Sequence, residues 1–168
     1  MPPRSDHHER SSRPGPSQIR SASPATELRL TLPAAMVAPS LAREWLGQWL
    51  GERDWDVEQR DDLVLAVSEA VSNSVEHGYG VDHATPVGRE GVIEVHGVLH
   101  TEPDGRRHLV LTVRDEGGWL PPSAERGNRR HGIPLMHACA AHVTVEGSGR
   151  GTTVVLRSHP MPPHGVPG

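Results

Sequence analysis

In the stretch DDLVLAVSEAVSNSVEHGYG, from Asp61 to Gly80, Glu69, Asn73 and His77 fall at four-residue spacing within an apolar stripe. On a helix such residues stack along one face, drifting by about 40° per step. Val64, Val67, Val71, Ser74 and Val75 cover a broad core face beside them, and Leu65 heads the polar row. A carboxylate bordering a Val face is costly to desolvate unless it is paired or opens on a wet cleft. The row therefore reads either as the solvent side of an amphipathic helix or as the wall of a site.

Two further segments bear on that choice. VRDEGGW puts Asp115 at the end of an apolar strand, where Gly117 and Gly118 turn the chain. An acceptor next to backbone without side chains can hydrogen-bond the edge of a planar ligand while its plane comes close. GSGRGTTVVL brings Gly151, Thr152 and Thr153 to the opening of the last strand. Taken singly, each segment also fits an ordinary strand-end turn.

The elements that must position these residues follow from periodicity. ELRLTLP alternates from Leu28 to Leu32 and reads as a strand. Pro39 and Ser40 open a helix with Leu41, Trp45 and Trp49 at four-residue spacing, Leu46 and Leu50 beside them, and Gly51 as its stop. Asp56 caps a second helix running to about His77 and closed by Gly78 and Gly80. GVIEVHGVLH and RHLVLTVRD are strands joined by EPDGR into a hairpin. A Gly, Pro and Arg-rich loop runs from Glu116 to His131, followed by a short helix, GIPLMHACAA. Strand HVTVEG, turn SGRG and strand TTVVLRS form a second hairpin. Two antiparallel hairpins with helices to one side predict an α+β, two-layer sandwich with a mostly antiparallel, mixed sheet.

Composition narrows the rest. The 168 residues suit one core, built from Leu, Val, Ile and Ala, because there is no Phe and one Tyr. Residues 1–26 are rich in Pro, Ser, Arg and His and are expected to be a disordered tail; 27–158 form the domain, and 159–168 a frayed end. The chain contains no Lys, so a Walker A phosphate loop is excluded. A net charge of -4 without a basic run argues against nucleic acid. A single Cys, Cys139, excludes an internal disulfide and sits on an apolar helix as a small core residue. His96, His100, His137 and His142 lack ligand spacing, so no dedicated zinc site is expected. No apolar stretch approaches a membrane span and no signal core follows Met1, so the expectation is a soluble cytoplasmic protein.

Taken together and in order, the segments resemble the Bergerat-fold (GHKL) ATPases, which include gyrase, histidine kinases and MutL. Within them the likeness is to the anti-sigma factor serine kinases of the SpoIIAB and RsbW type, over about Leu28 to Arg157. SEAVSNSVEHGY resembles the N-box, DEGGW the G1 box, HGIPLM a G2 box after a mobile lid, and GTTVVL the closing Gly-Thr strand. The resemblance implies ATP and Mg²⁺ as cofactors, with Asn73 supplying an oxygen to the metal. It makes Glu69 the general base for an attacking hydroxyl. His77, Gly132, Ile133 and Gly151 join the nucleotide-binding set, Asp115 accepts from the adenine amino group, Gly117 admits the base, and Thr152 completes recognition. Glu116 to His131 becomes the lid, with Arg126, Arg129 and Arg130 as phosphate contacts, and the helix after Gly132 aims its amides at phosphate. The implied partners are a sigma factor and a STAS-class anti-anti-sigma protein that the kinase phosphorylates, with dimerisation through the first strand and helix region. Two departures bear on phosphate handling: Arg130-His131-Gly132 lacks the first glycine of the G2 box, and Pro134 removes an amide from the helix start. They keep open a nucleotide-gated binding module that transfers no phosphate. A domain that binds no nucleotide is the third reading.

Overall fold

Leu28, Leu30 and Leu32 are buried while Arg29 and Thr31 between them face solvent, the signature of a strand covered on one side. They belong to β1 (Glu27–Pro33) in a computed structural model that describes residues 26–80, 91–118 and 132–163. The expected lid arginines, Arg126, Arg129 and Arg130, and the expected N-terminal tail up to residue 25 lie outside the described residues.

Two helices follow. α1 (Ala38–Gly51) has a proline in its first turn, where the ring suits the backbone angle and no helical donor is lost. Its buried stripe is Ala38, Ala42, Leu46, Trp49 and Leu50, so Leu41 and Trp45 lie on the margin of the core. The four-residue ladder expected from Leu41 to Trp49 is thus rotated, with Ala42 and Leu46 fully buried. α2 (Val57–Asn73) opens on Asp56, whose carboxylate accepts from the Gln59 amide at 3.0 Å. Arg43 ties the helices together, donating to Ser68 Oγ at 2.6 Å.

α2 does not run on as a regular helix to His77. It passes into a π turn, Ser74–Gly78, closed by the Tyr79 amide donating to the Ser74 carbonyl at 3.1 Å.

β2 (Val92–Thr101) and β3 (Arg107–Asp115) pair as a hairpin. α3 (Gly132–Cys139) leads to β4 (His142–Ser148) and β5 (Gly151–Arg157). The sheet order is β1-β2-β3-β5-β4, and all four pairings are antiparallel. The second hairpin docks through its later strand, which sets Thr152 opposite Asp115. Inward residues of the sheet, among them Ile93, Val95, Leu111, Val113 and Leu156, meet Leu63, Ala66, Val67, Ala70 and Val71 of α2. The two-layer α+β sandwich expected from the hairpin pattern is the fold observed.

The C-terminal stretch differs from expectation. Ser158 and Met161 are buried, and Met161 exchanges two backbone hydrogen bonds with Arg107, at 3.0 and 2.7 Å. The chain therefore stays bound to the start of β3 through Met161, whose side chain joins the hydrophobic core. Among the described residues, no helix is long and apolar enough to cross a membrane.

At that end of the sheet His108 stacks on His100, with ring centroids 5.0 Å apart. Its Nδ1 lies 3.2 Å from Glu102 Oε1. Burial holds the His108 imidazole below the usual histidine range; the Arg157 and His100 charges push the same way, and Glu102 opposes them. The folded chain thus binds this proton more weakly than the unfolded chain. The resulting stability is complete above the ordinary value of 6.5 and is lost as pH falls toward the depressed folded value. Urea unfolding should show a lower midpoint at about pH 5.5 than at about pH 7.5, and His108→Gln should show a smaller drop. An equal drop in both proteins would remove His108 from the account.

Candidate functional site

The π turn lies against the last residue of β3. Ser74 and Gly78, at its two ends, are both buried against Asp115, the last residue of β3. The Ser74 hydroxyl donates to Asp115 Oδ2 at 2.6 Å. A Cβ on Gly78 would stand 3.1 Å from Asp115 Oδ1, so the glycine lets the carboxylate lie directly on the helix end.

The other carboxylate oxygen is held from the sheet. Asp115 Oδ1 accepts from the Gly117 amide at 3.0 Å and from the Thr152 amide at 3.3 Å. Asp115 is only 3% exposed, which makes these partners necessary for a buried carboxylate. Three hydrogen bonds occupy three of a carboxylate's roughly four acceptor directions. One direction remains, and it belongs to Oδ2.

Glycines permit the closeness of this junction. A Cβ on Gly117 would overlap the Gly78 carbonyl, whose oxygen already accepts from the Gly118 amide at 3.0 Å. Gly151 adopts φ +136°, a region L side chains rarely enter, and a Cβ there would overlap the Asp115 carbonyl. Tyr79 completes the tie, donating through its hydroxyl to the Val92 carbonyl at 2.8 Å and accepting from the Glu116 amide at 3.1 Å. Its ring occupies the space that a side chain at Gly91 would need.

A second cluster lies one turn back along α2. A Cβ on Gly132 would stand 3.2 Å from Asn73 Nδ2 and 3.4 Å from Glu69 Oε2. The first residue of α3 is therefore packed against both polar side chains. Glu69, Asn73 and His77 are each half-buried, neither sealed in the core nor facing bulk water. Ile133, in the same turn of α3, is 44% exposed and leaves the core contact to Met136. Burial, and then the neighbouring Asp62 carboxylate of α2, hold the Cys139 thiol above its usual range, so it packs as a small side chain and is not a reactive thiolate.

The residues singled out from the sequence thus fall into two adjoining groups. Asp115, Gly117, Gly151 and Thr152 meet at the end of β3, and Glu69, Asn73 and Gly132 meet at the α2–α3 contact. Both groups abut the α2 terminus, since Asn73 and Ser74 are neighbours in the chain. The sequence reading placed Ser74 only on the core face and gave Tyr79 no part. A hydroxyl among Val and Ala, and the single Tyr of the chain next to glycines, were the available signals.

The arrangement fits a nucleotide on the chemistry of its donors. A buried acceptor with one open direction, flanked by backbone without side chains, suits the amino edge of a planar base. A half-exposed amide one turn away can offer a neutral oxygen to a hard cation that phosphates already balance. A half-exposed carboxylate beside it can accept a proton.

Comparison with known proteins places the chain in a family. Residues 32–158 match the family model of the histidine kinase-like ATPase domain. The chain is 31% identical over 147 residues to an anti-sigma F factor of Geobacillus kaustophilus, covering 79% of this chain and 92% of that protein. It is 28% identical over 132 residues to an anti-sigma F factor of Clostridium acetobutylicum, covering 70% and 82%. Among solved structures it superposes on the RsbU and RsbW domains of a Mycobacterium tuberculosis protein with a TM-score of 0.58 and 28% identity. That match covers 88% of this chain and 36% of the other, so this chain spans about a third of that two-domain structure.

The junction's geometry makes a direct prediction. Gly117→Ala should lower the unfolding free energy by about 1–3 kcal/mol, the scale of forced overpacking. Gly149→Ala, where nothing stands within 4 Å, should stay within about 0.5 kcal/mol of wild type. Chemical denaturation of the two variants side by side measures both, and equal stabilities would contradict the close contact with Gly78.

Proposed function

The chain belongs to the histidine kinase-like ATPase domain family, with anti-sigma F factors among its relatives, and from that premise we propose that it is an ATP-dependent serine/threonine protein kinase that also acts as an anti-sigma factor. In this reading it binds a sigma factor and releases it when an unphosphorylated STAS-class protein competes. It then inactivates that competitor by phosphorylating a serine or threonine. The observation that carries the reading is the packing of Gly132 against both Glu69 and Asn73, beside the buried Asp115 acceptor. A base, a metal-binding amide and a purine acceptor then adjoin one helix end.

Each residue has a distinct task in this reading. Asp115 accepts from the adenine amino group, Gly117 keeps the approach to the base clear, Thr152 holds the carboxylate from β5 and completes recognition, and Gly151 lets β5 pass close to the Asp115 backbone. Asn73 would hold Mg²⁺ through its side-chain oxygen, and His77 would border the same nucleotide surface. When bound, Mg²⁺ neutralises charge on the phosphates and fixes their orientation. Glu69 takes the proton from the substrate hydroxyl as its oxygen attacks the terminal phosphoryl group, and ADP is the leaving group. The α3 start, Gly132 and Ile133, borders the phosphates, and Arg126, Arg129 and Arg130 contact them from the lid between Glu116 and His131. The domain of residues 27–158 is cytoplasmic in this reading, and residues 1–26 are an accessory tail.

Calorimetry and label transfer test the reading together. Asn73→Ala should weaken Mg·ATP binding by about tenfold or more, equivalent to about 1.4 kcal/mol. Glu69→Ala should cut phosphate transfer from labelled ATP to a STAS-class protein by about 10²–10⁴-fold while nucleotide still binds. Undiminished transfer in Glu69→Ala would overturn the assignment of the base. Failure of affinity capture with Mg·ATP to recover either a sigma factor or a STAS protein would remove the regulatory reading. Pro134 in the first turn of α3 favours one alternative, a nucleotide-gated binding module. Wild type that binds nucleotide tightly and transfers no label would establish that module.

A further inference from the structure

Ser74 has a closer partner than the one it uses. A serine within a helix ordinarily turns its hydroxyl to a carbonyl one turn back, a local bond that needs no tertiary structure. Here it reaches across 41 positions of chain to Asp115, and at 2.6 Å the bond has the short length of a hydroxyl donating to a carboxylate. The hydroxyl is 5% exposed at the level of its residue and has one proton to give. That proton is spent on Oδ2, the oxygen that keeps the open acceptor direction.

The two backbone amides from Gly117 and Thr152 both act on Oδ1. They restrain the carboxylate through Oδ1 alone, the Thr152 contact at 3.3 Å loosely, and leave part of its freedom about the terminal torsion, which is intrinsically broad. The Ser74 bond to Oδ2 removes that freedom. We propose that Ser74 is a positioning residue for base selection, fixing the Asp115 carboxylate so that its last acceptor direction faces the exocyclic amino group of an adenine nucleotide. The inference rests on the nucleotide reading above and deepens it.

The same accounting assigns the selectivity. The three donors seen on Asp115, the Ser74 hydroxyl, the Gly117 amide and the Thr152 amide, are all spent on the carboxylate. A base presenting a carbonyl to Oδ2 sets acceptor against acceptor. A base presenting nothing leaves a buried acceptor unpaired, and a site built around a ligand N–H discriminates strongly against such analogues. Ser74 makes that discrimination sharp by holding the acceptor in one direction. The π turn is part of the device, since its first residue, Ser74, and its last, Gly78, both lie against the Asp115 carboxylate.

The test compares ADP with purine riboside diphosphate, which lacks only the amino group, by calorimetry on the full chain. Wild type should bind ADP about tenfold or more tightly than the analogue. Ser74→Ala should lose about five- to tenfold in ADP affinity and leave analogue affinity unchanged, so that the preference collapses. A fall of equal size for both nucleotides would make Ser74 a scaffold residue and overturn the proposal, as would an unchanged preference. Should Ser74→Ala not fold, Ser74→Cys keeps the volume with a weaker donor and should reduce the preference by a smaller factor. Wild type that binds neither nucleotide overturns the nucleotide reading and this inference with it. Wild type that binds both equally overturns this inference alone.

Discussion

A carboxylate that is 3% exposed must be supplied with donors or the fold cannot keep it, and the organisation of this molecule follows from how Asp115 is supplied. Its donors come from three separate parts of the chain: Ser74 at the end of α2, Gly117 just past β3, and Thr152 at the start of β5. Satisfying the charge therefore requires the helix layer, the central hairpin and the last hairpin to be docked together. Asp115 is at once a purine acceptor in the proposed function and a knot that reports whether the two layers are assembled.

The glycines around this knot have a common cause. Backbone must pass backbone where Gly117 meets Gly78 and where Gly151 meets the Asp115 carbonyl, so a Cβ has no place there. Tyr79 then seals what the glycines leave open, spanning from the Val92 carbonyl to the Glu116 amide. A polar charge can be buried here because small residues bring the donors close and one large residue excludes water. The apolar face of α2, from Leu63 to Val71, supplies the burial that makes this polar junction affordable in free energy.

Much of this was legible in the residues. Alternation gave β1, the Asp56 cap marked the start of α2, and the order of strands and helices specified the sandwich, because each of these signals is local. The placement of Asp115 at a strand end next to glycines was legible for the same reason. What escaped was non-local. Nothing in HVTVEG or TTVVLRS says that β5 inserts between β3 and β4, yet that insertion sets Thr152 opposite Asp115. The π turn escaped because SVEHG carries no breaker before Gly78; it forms where a Ser on the core face meets a carboxylate supplied from residue 115. Met161 escaped because a Pro-rich end carries no periodicity, and its pairing with Arg107 depends on the hairpin already being there.

The two groups of the site are held by different parts of the molecule, and that has a mechanical consequence. Asp115 is fixed by α2, β3 and β5, elements paired or packed into the core along their length. Glu69 and Asn73 instead meet α3, an eight-residue helix whose first residue touches them without a side chain of its own. Displacing α3 would alter the surroundings of the carboxylate and the amide while the Asp115 junction stayed intact. In the proposed function, base recognition and phosphate chemistry would then be separable at one helix end, the first held from three elements and the second adjoining α3. In the proposed function that division would let the base stay held while the other group is adjusted, because Asp115 has three anchors and Glu69 and Asn73 meet the first residue of α3.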